Sequence, residues 1–291
     1  MTILITGSEG FVGRNFLTSP DLYGDIRCID IKTGTDARDF FRNDQTHYEL
    51  VIHLAAVVGG RMLIEGSPLS LAVDLSIDAE FASWALRTKP NHILYFSSSA
   101  AYPIKYQEES LQHKLSEADI NFDMIQTPDM TYGWAKLTGE MLMNHLRREG
   151  LSVTTLRPFS GYGSDQDLDY PFPSFIERGL AYQDPFIIWG SDRTVRNWIH
   201  ISDIVSACLV MARLKVNDTV NLCTGIATPF RRLAEIVGEQ MGYMPEIWVE
   251  ADKPKGVAYR VGNPYKMLQW YVPKISLAEG VARALDDRSK R

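Results

Sequence analysis

The chain has 291 residues, 45% hydrophobic and 23% charged, with 36 acidic side chains against 30 basic ones and a formal net charge of −6. That length holds one large domain or two smaller ones, and an acidic chain without a basic run excludes a general nucleic-acid binder. No apolar run reaches the roughly 18 residues of a membrane span, and "MTILITGSEG" lacks the basic start of a secretory signal, which points to the cytoplasm. Cys28, Cys208 and Cys223 show no paired spacing and read as buried, reduced thiols. The histidines are scattered without metal-ligand spacing, so no metal site is expected.

The first apolar run, 3–6, reads as a buried strand that enters "TGSEGFVG". There Gly7, Gly10 and Gly13 precede a helical pattern over 10–18. A tight turn without Cβ atoms, a backbone close to a pyrophosphate and a helix starting beside its strand together describe a dinucleotide site. The second strand, 27–31, carries Asp30, 17 residues after Gly13. A carboxylate there accepts hydrogen bonds from ribose hydroxyls and repels a 2′-phosphate, so NAD is expected over NADP; nearby Lys32 weakens the discrimination. "DARDFF" begins a short helix. Only about twenty residues separate Ile31 from Val51. A crossover needs a dozen or more residues per connection, so one strand of the usual pattern is missing or reduced there.

Apolar runs at 50–56, 92–98 and 152–158 continue the strands, with helical patterns at 67–88 and 130–149. Continuously apolar strands alternating with helices predict an α/β fold, a doubly wound parallel sheet of Rossmann type covered on both faces. After 158 the texture changes. "FSGYGSDQDLDYPFPSF" (159–175) reads as a long functional loop. Helical stretches at 202–214 and 229–241 flank a strand in "TVNLC", and the C-terminal part reads as a smaller α/β substrate lobe. The chain thus divides into a dinucleotide-binding domain over 1–158, with 196–225 packing back on it, and a mainly substrate-binding lobe over 159–291.

Tyr132 and Lys136 in "DMTYGWAK" are four residues apart and share a helix face. Two amphipathic residues on a helix would look the same. Downstream of the glycine turn and Asp30, the pair makes the chain resemble the extended short-chain dehydrogenase/reductases, in their nucleotide-sugar epimerase/dehydratase family. "TGSEGFVG" looks like that family's TGxxGFxG. "HLAA" (53–56), "SSSAAY" (97–102), "RPFSGYG" (157–163) and "RNWIHISD" (196–203) resemble its further motifs, in order.

The resemblance implies catalytic roles for Ser98, Tyr132 and Lys136. The phenol removes a proton as hydride leaves, Lys136 stabilises the phenolate and bonds the nicotinamide ribose, and Ser98 relays the proton and orients the sugar. For this the Tyr132 pKa is expected to fall from about 10 toward neutrality. It also implies NAD contacts from Gly7, Gly10, Phe11, Val12, Gly13, Asp30, Asp36, Ala37, Leu54, Ala55, Ala56, Ser97, Tyr132, Lys136 and Pro158. A nucleotide-diphosphate sugar would meet Ser99, Ser160, Arg196 and Arg260, with Arg193 a further cation. Arg157 reads as a structural residue and His200 as a core one.

Dehydratases of this family carry an acid just after the catalytic Ser/Thr, where this chain has Ser99 and Ala100, so elimination of water has no evident catalyst. "AAVVGG" (55–60) and "SSSAAYP" (97–103) look most like the branch holding GDP-fucose synthase and GDP-mannose 3,5-epimerase, whose acid–base Cys is Ala100 here. The expected activity is an NAD-dependent 4-epimerase acting through a transient 4-keto sugar. A nucleotide-4-ketosugar reductase, a GDP-mannose 3,5-epimerase-like enzyme without the Cys and a non-catalytic dinucleotide sensor stay open. Ser160 and Asp74 stand where many members have Asn. The family's paired helices imply a homodimer through 67–88 and 130–149, with Leu71, Leu75, Phe81, Leu137, Met141 and Leu142 as apolar positions.

Overall fold

The computed structural model describes residues 1–59, 66–253 and 255–290. Gly60, the last residue of "AAVVGG", lies outside them. Six short apolar runs form the central strands β1 (Thr2–Thr6), β2 (Asp25–Ile29), β3 (Leu50–His53), β4 (Ile93–Phe96), β5 (Val153–Pro158) and β6 (Thr219–Leu222). They pair in parallel in the order β6-β5-β4-β3-β1-β2. The helices among the described residues are α1 (Phe11–Leu17), α2 (Ala37–Asn43), α3 (Ser70–Thr88), α4 (Met130–Arg148), α5 (Pro171–Leu180), α6 (Ile201–Arg213), α7 (Phe230–Met241) and α8 (Leu277–Ser289).

Successive strand residues face opposite sides, and in β1, β3, β4 and β5 both sides are buried because helices cover both, while β2 is largely exposed. Ile3, Ile5, Ile52, Leu94 and Leu156 pack against Phe16 of α1 and Ile204, Val205 and Cys208 of α6. Leu4, Val51, Ile93 and Val153 pack against Phe41 of α2, Phe81 and Trp84 of α3, and Met143 of α4. Burying each such side chain stabilises the fold by about 1.5–3 kcal/mol. Phe81 and Leu137, expected among the partner-facing positions, are buried in the protomer and cannot meet a second copy.

Between β2 and β3 the chain makes only a 3-10 turn (Ile31–Thr33) and α2. It then returns beside β1, so β2 is the sheet edge and the expected reduction is a missing outer strand. The second strand ends earlier than the apolar run, because the Asp30 carboxylate accepts the Lys32 N–H and turns the chain. Edge position also corrects the reading of Cys28, which is exposed; Cys208 and Cys223 are buried.

The segment 159–175 is not all loop. Pro171 opens α5, where the absent N–H costs nothing. Phe172, Phe175 and Ile176 then fall on one buried face. The loop that remains is pinned to α1: Asp165 accepts from Arg14 at 3.2 Å and from Asn15 at 3.1 Å. α5, α7 and α8 enclose a second core, with Phe175, Phe186, Leu233, Val237, Val281 and Leu285 at its centre. This is the smaller C-terminal lobe.

Candidate active site

β1 runs into Gly7, whose φ of +72° disfavours any side chain. A Cβ there would lie 2.8 Å from the Leu54 carbonyl carbon, and one at Gly13 would lie 2.6 Å from the Ser8 oxygen. The turn is therefore packed tightly between β1, β3 and α1. Gly10 caps α1 without a side-chain bond to the first-turn N–H groups. At the lip of the turn, Asp30 accepts from the Glu9 N–H at 2.9 Å and the Lys32 N–H at 2.8 Å. Each carboxylate oxygen keeps acceptor capacity. A fixed carboxylate beside a Cβ-free turn fits the adenosine end of NAD. NAD(H) is expected to bind at least about tenfold tighter than NADP(H), about 1.4 kcal/mol, and equal affinities by calorimetry would remove the discriminating role of Asp30.

The other residues expected around the cofactor are placed as follows. Phe11 and Val12 are half-buried in the first turn of α1, against the sheet core. Asp36 caps α2 and pairs with Arg38, whose hydrogen bond holds that carboxyl below its ordinary range. Ala37 is buried beside it. Leu54, Ala55 and Ala56 follow β3, and the Leu54 and Ala55 N–H groups donate to the Thr6 hydroxyl. Pro158 ends β5.

At the carboxyl ends of β4 and β5, the edge where open α/β sheets bind ligands, Ser98, Tyr132 and Lys136 come together. Ser98 caps a 3-10 turn, accepting the Ala100 N–H at 3.1 Å, and lies near enough to the Tyr132 phenol to lower its pKa. Lys136 is buried, its Nζ 5.7 Å from the Tyr132 ring centre. The Ser97 hydroxyl donates to Glu140, and Ser99 is buried in the turn. Ser160 follows β5, half-buried.

The electrostatics differ from the expectation for Tyr132. Burial raises its pKa, Lys136 lowers it, Asp74 raises it, the Ser98 hydrogen bond lowers it and Asp78 raises it, for a net rise rather than a fall. Burial works against the Lys136 ammonium, but Tyr132, Asp78, Asp74 and Glu140 outweigh it and the Lys136 pKa is raised. Sequence reasoning missed Asp78. Its signal was an acid at an inward position of α3, one turn after Asp74 and between Ile77 and Phe81.

The strand Tyr259–Gly262 pairs in parallel with Val195–Arg196, setting Arg260 opposite Arg196 on one face. Arg260 donates to Gln107 and pairs with buried Asp129, three residues before Tyr132. Arg196 donates to the Val195 and Val257 carbonyls at 2.8 Å and lies over the Phe230 ring. Arg193 lines a cavity of about 550 Å³ with Val195 and Tyr259, on the other face of that strand pair. Arg157 is buried and holds Glu140 at 2.6 Å, and His200 caps α6. Among the described residues no cluster of three or more His, Cys, Asp or Glu is placed to hold a metal, and no helix is long and apolar enough to cross a membrane.

A profile of the NAD dependent epimerase/dehydratase family matches residues 3–223. The chain is 23% identical to the GDP-L-fucose synthase of Escherichia coli K12, over 96% of this chain and 94% of that one. It is 26% identical to a putative UDP-glucose 4-epimerase of Methanocaldococcus jannaschii, over 98% and 97%. Among solved structures, the UDP-glucose 4-epimerase of Thermotoga maritima, crystallised with UDP-glucose, superposes with a TM-score of 0.83 at 23% identity, covering 100% of this chain and 99% of that one.

Proposed function

Because the chain belongs to the NAD dependent epimerase/dehydratase family, we propose that it is an NAD-dependent nucleotide-diphosphate-sugar 4-epimerase. One observation carries the reading. Ser98, Tyr132 and Lys136 meet at the sheet edge, while the position beside them that would bear a second acid–base group is Ala100. An alanine moves no proton, which leaves chemistry at a single carbon.

The glycine turn, Asp30 and Lys136 would hold NAD, which when bound supplies the acceptor and later the donor of hydride. Tyr132 would take the proton of the sugar hydroxyl during oxidation at that carbon and, once the ketone has turned, return it to the carbonyl oxygen. Ser98 orients the hydroxyl, and Lys136 favours the phenolate by its charge. Arg196 and Arg260, in register on one face, are suited to a diphosphate, and we assign substrate binding mainly to the lobe over 159–291.

A ketosugar reductase on the same site is the second reading, in keeping with the likeness to the GDP-L-fucose synthase of Escherichia coli K12. A panel of UDP-, GDP-, dTDP- and CDP-sugars incubated with catalytic NAD separates the two. The epimerase reading expects one sugar to be converted without accumulation or loss of NADH; no conversion of any would count against it.

We also propose a homodimer. α3 and α4 leave Leu86, Trp134 and Met141 exposed, enough apolar surface to begin an isologous contact. Solution scattering at micromolar concentration should give twice the protomer mass, and a monomer would contradict this.

A further inference from the structure

Beneath Lys136 lies a chain of buried polar groups that the reaction above does not use. The Tyr95 hydroxyl on β4 donates to Asp78 on α3 at 2.6 Å. The other Asp78 oxygen lies 3.2 Å from Nε2 of His53 on β3. Nδ1 of His53 lies 2.8 Å from the Thr6 hydroxyl. Thr6 already accepts the Leu54 and Ala55 N–H groups, so its own proton goes to Nδ1. His53 is then the neutral tautomer with its proton on Nε2, donating to Asp78. Both neighbours give protons toward Asp78 and neither takes one. Lys136 sits above this chain, its Nζ 5.7 Å from the Tyr95 ring centre.

The catalytic helix is shaped around this arrangement. A Cβ at Gly139, three residues after Lys136, would collide with the Tyr95 hydroxyl and the Asp78 carboxylate. Only glycine lets α4 lie this close to the Tyr95–Asp78 pair. The chain begins at Thr6, the residue before the glycine turn, and ends at Tyr95, against which α4 packs at Gly139.

We propose that Asp78 is a positioning residue of this active site: fixed by Tyr95, His53 and Thr6, its carboxylate is set against the catalytic helix at Gly139, one turn from Lys136, where its charge acts on the Tyr132–Lys136 pair. The proposal rests on the reading of Tyr132 as the acid–base group. Asp78 carries negative charge toward both partners. It favours the ammonium and disfavours the phenolate, so it keeps Tyr132 protonated to higher pH than Lys136 alone would. Among the described residues, the groups facing Tyr132 and Lys136 are Asp74 and Asp78 from α3, neutral His53 from β3, Tyr95 from β4, Tyr170 from the start of α5 and Glu140 on α4 itself. Glu140 is offset by Arg157, and burial raises the pKa of Asp74.

The test is the ionisation of Tyr132, followed by phenolate ultraviolet absorbance as the difference between each protein and its Tyr132→Phe version. Asp78→Asn keeps the side-chain shape and removes the charge. It is expected to lower the pH at which Tyr132 ionises, because a carboxylate that disfavours the phenolate is gone. Tyr95→Phe serves where Asp78→Asn does not fold. It keeps the Asp78 charge and removes a donor that damps it, so the ionisation should move upward. A merely structural role for Asp78 moves neither. An unmoved or raised titration in folded Asp78→Asn, or an unmoved or lowered one in Tyr95→Phe, overturns the proposal. No substrate enters the measurement, so its failure is distinct from failure of the proposed reaction.

Discussion

Tyr132→Phe is expected to lower turnover of the nucleotide sugar by roughly 10²–10⁴-fold, the worth of one positioned general acid–base. The ring packs at the start of α4, and Phe keeps that ring while losing the hydroxyl. NAD and nucleotide-sugar affinities should therefore stay near those of the parent. If Tyr132 were only a helix-surface residue, its replacement would move stability by no more than about 0.5 kcal/mol and leave activity alone. Single-turnover kinetics with cofactor titration separate these outcomes. A Tyr132→Phe protein that turns over at the parent rate would remove the catalytic assignment.

Arg157→Met is expected to destabilise the fold by about 3–5 kcal/mol. Arg157 and Glu140 are both almost fully buried and bond each other at 2.6 and 2.9 Å. Arg157 also donates to the Tyr102 hydroxyl at 2.9 Å, and Glu140 accepts from Ser97. Removing the guanidinium strands a carboxylate in the core, where its desolvation has no compensation. The pair itself need not be a net gain, because two buried ions also lose their hydration. Replacing both, with Arg157→Met and Glu140→Leu together, should recover much of the loss. Urea melts with an unchanged denaturant slope would measure both effects. A single variant as stable as the parent would mean that Glu140 finds another partner. Because Glu140 lies one turn beyond Lys136 and holds Ser97 beside Ser98, the single variant should also loosen the catalytic residues.

What was legible in the sequence were features whose physical demands are local. The glycine turn, the acid after β2 and the Tyr–Lys spacing each act over one turn or one strand end, and residue type at fixed spacing carries them. The alternation of strand and helix was equally plain, because strands buried on both faces are apolar throughout. The missing outer strand followed from chain length alone.

The rest depends on pairings between distant parts of the chain. Asp78 finds His53 and Tyr95, and Arg260 finds Asp129 across 131 positions; no spacing rule links such residues. The sign of the Tyr132 shift depended first on burial and then on distant carboxylates, against which the Lys136 charge does not prevail. Composition misled at 171–175, where proline and aromatics suggested a loop but proline opens a helix and the aromatics line its buried face. Cys28 looked like a core thiol only while the sheet edge was unknown. In the C-terminal lobe, Phe186–Trp189 and Ile247–Glu250 pair in parallel. Each is four residues long, too short for periodicity to announce it.

The central claim is that hydride leaves and returns at one carbon while the cofactor is retained. It is tested most directly with a nucleotide-diphosphate sugar deuterated at C4, incubated with protein and substoichiometric NAD and followed by NMR. The account predicts the inverted sugar with deuterium still at C4 and no net change in NADH. Loss of the label to solvent, or one NADH consumed for each product formed, would contradict it.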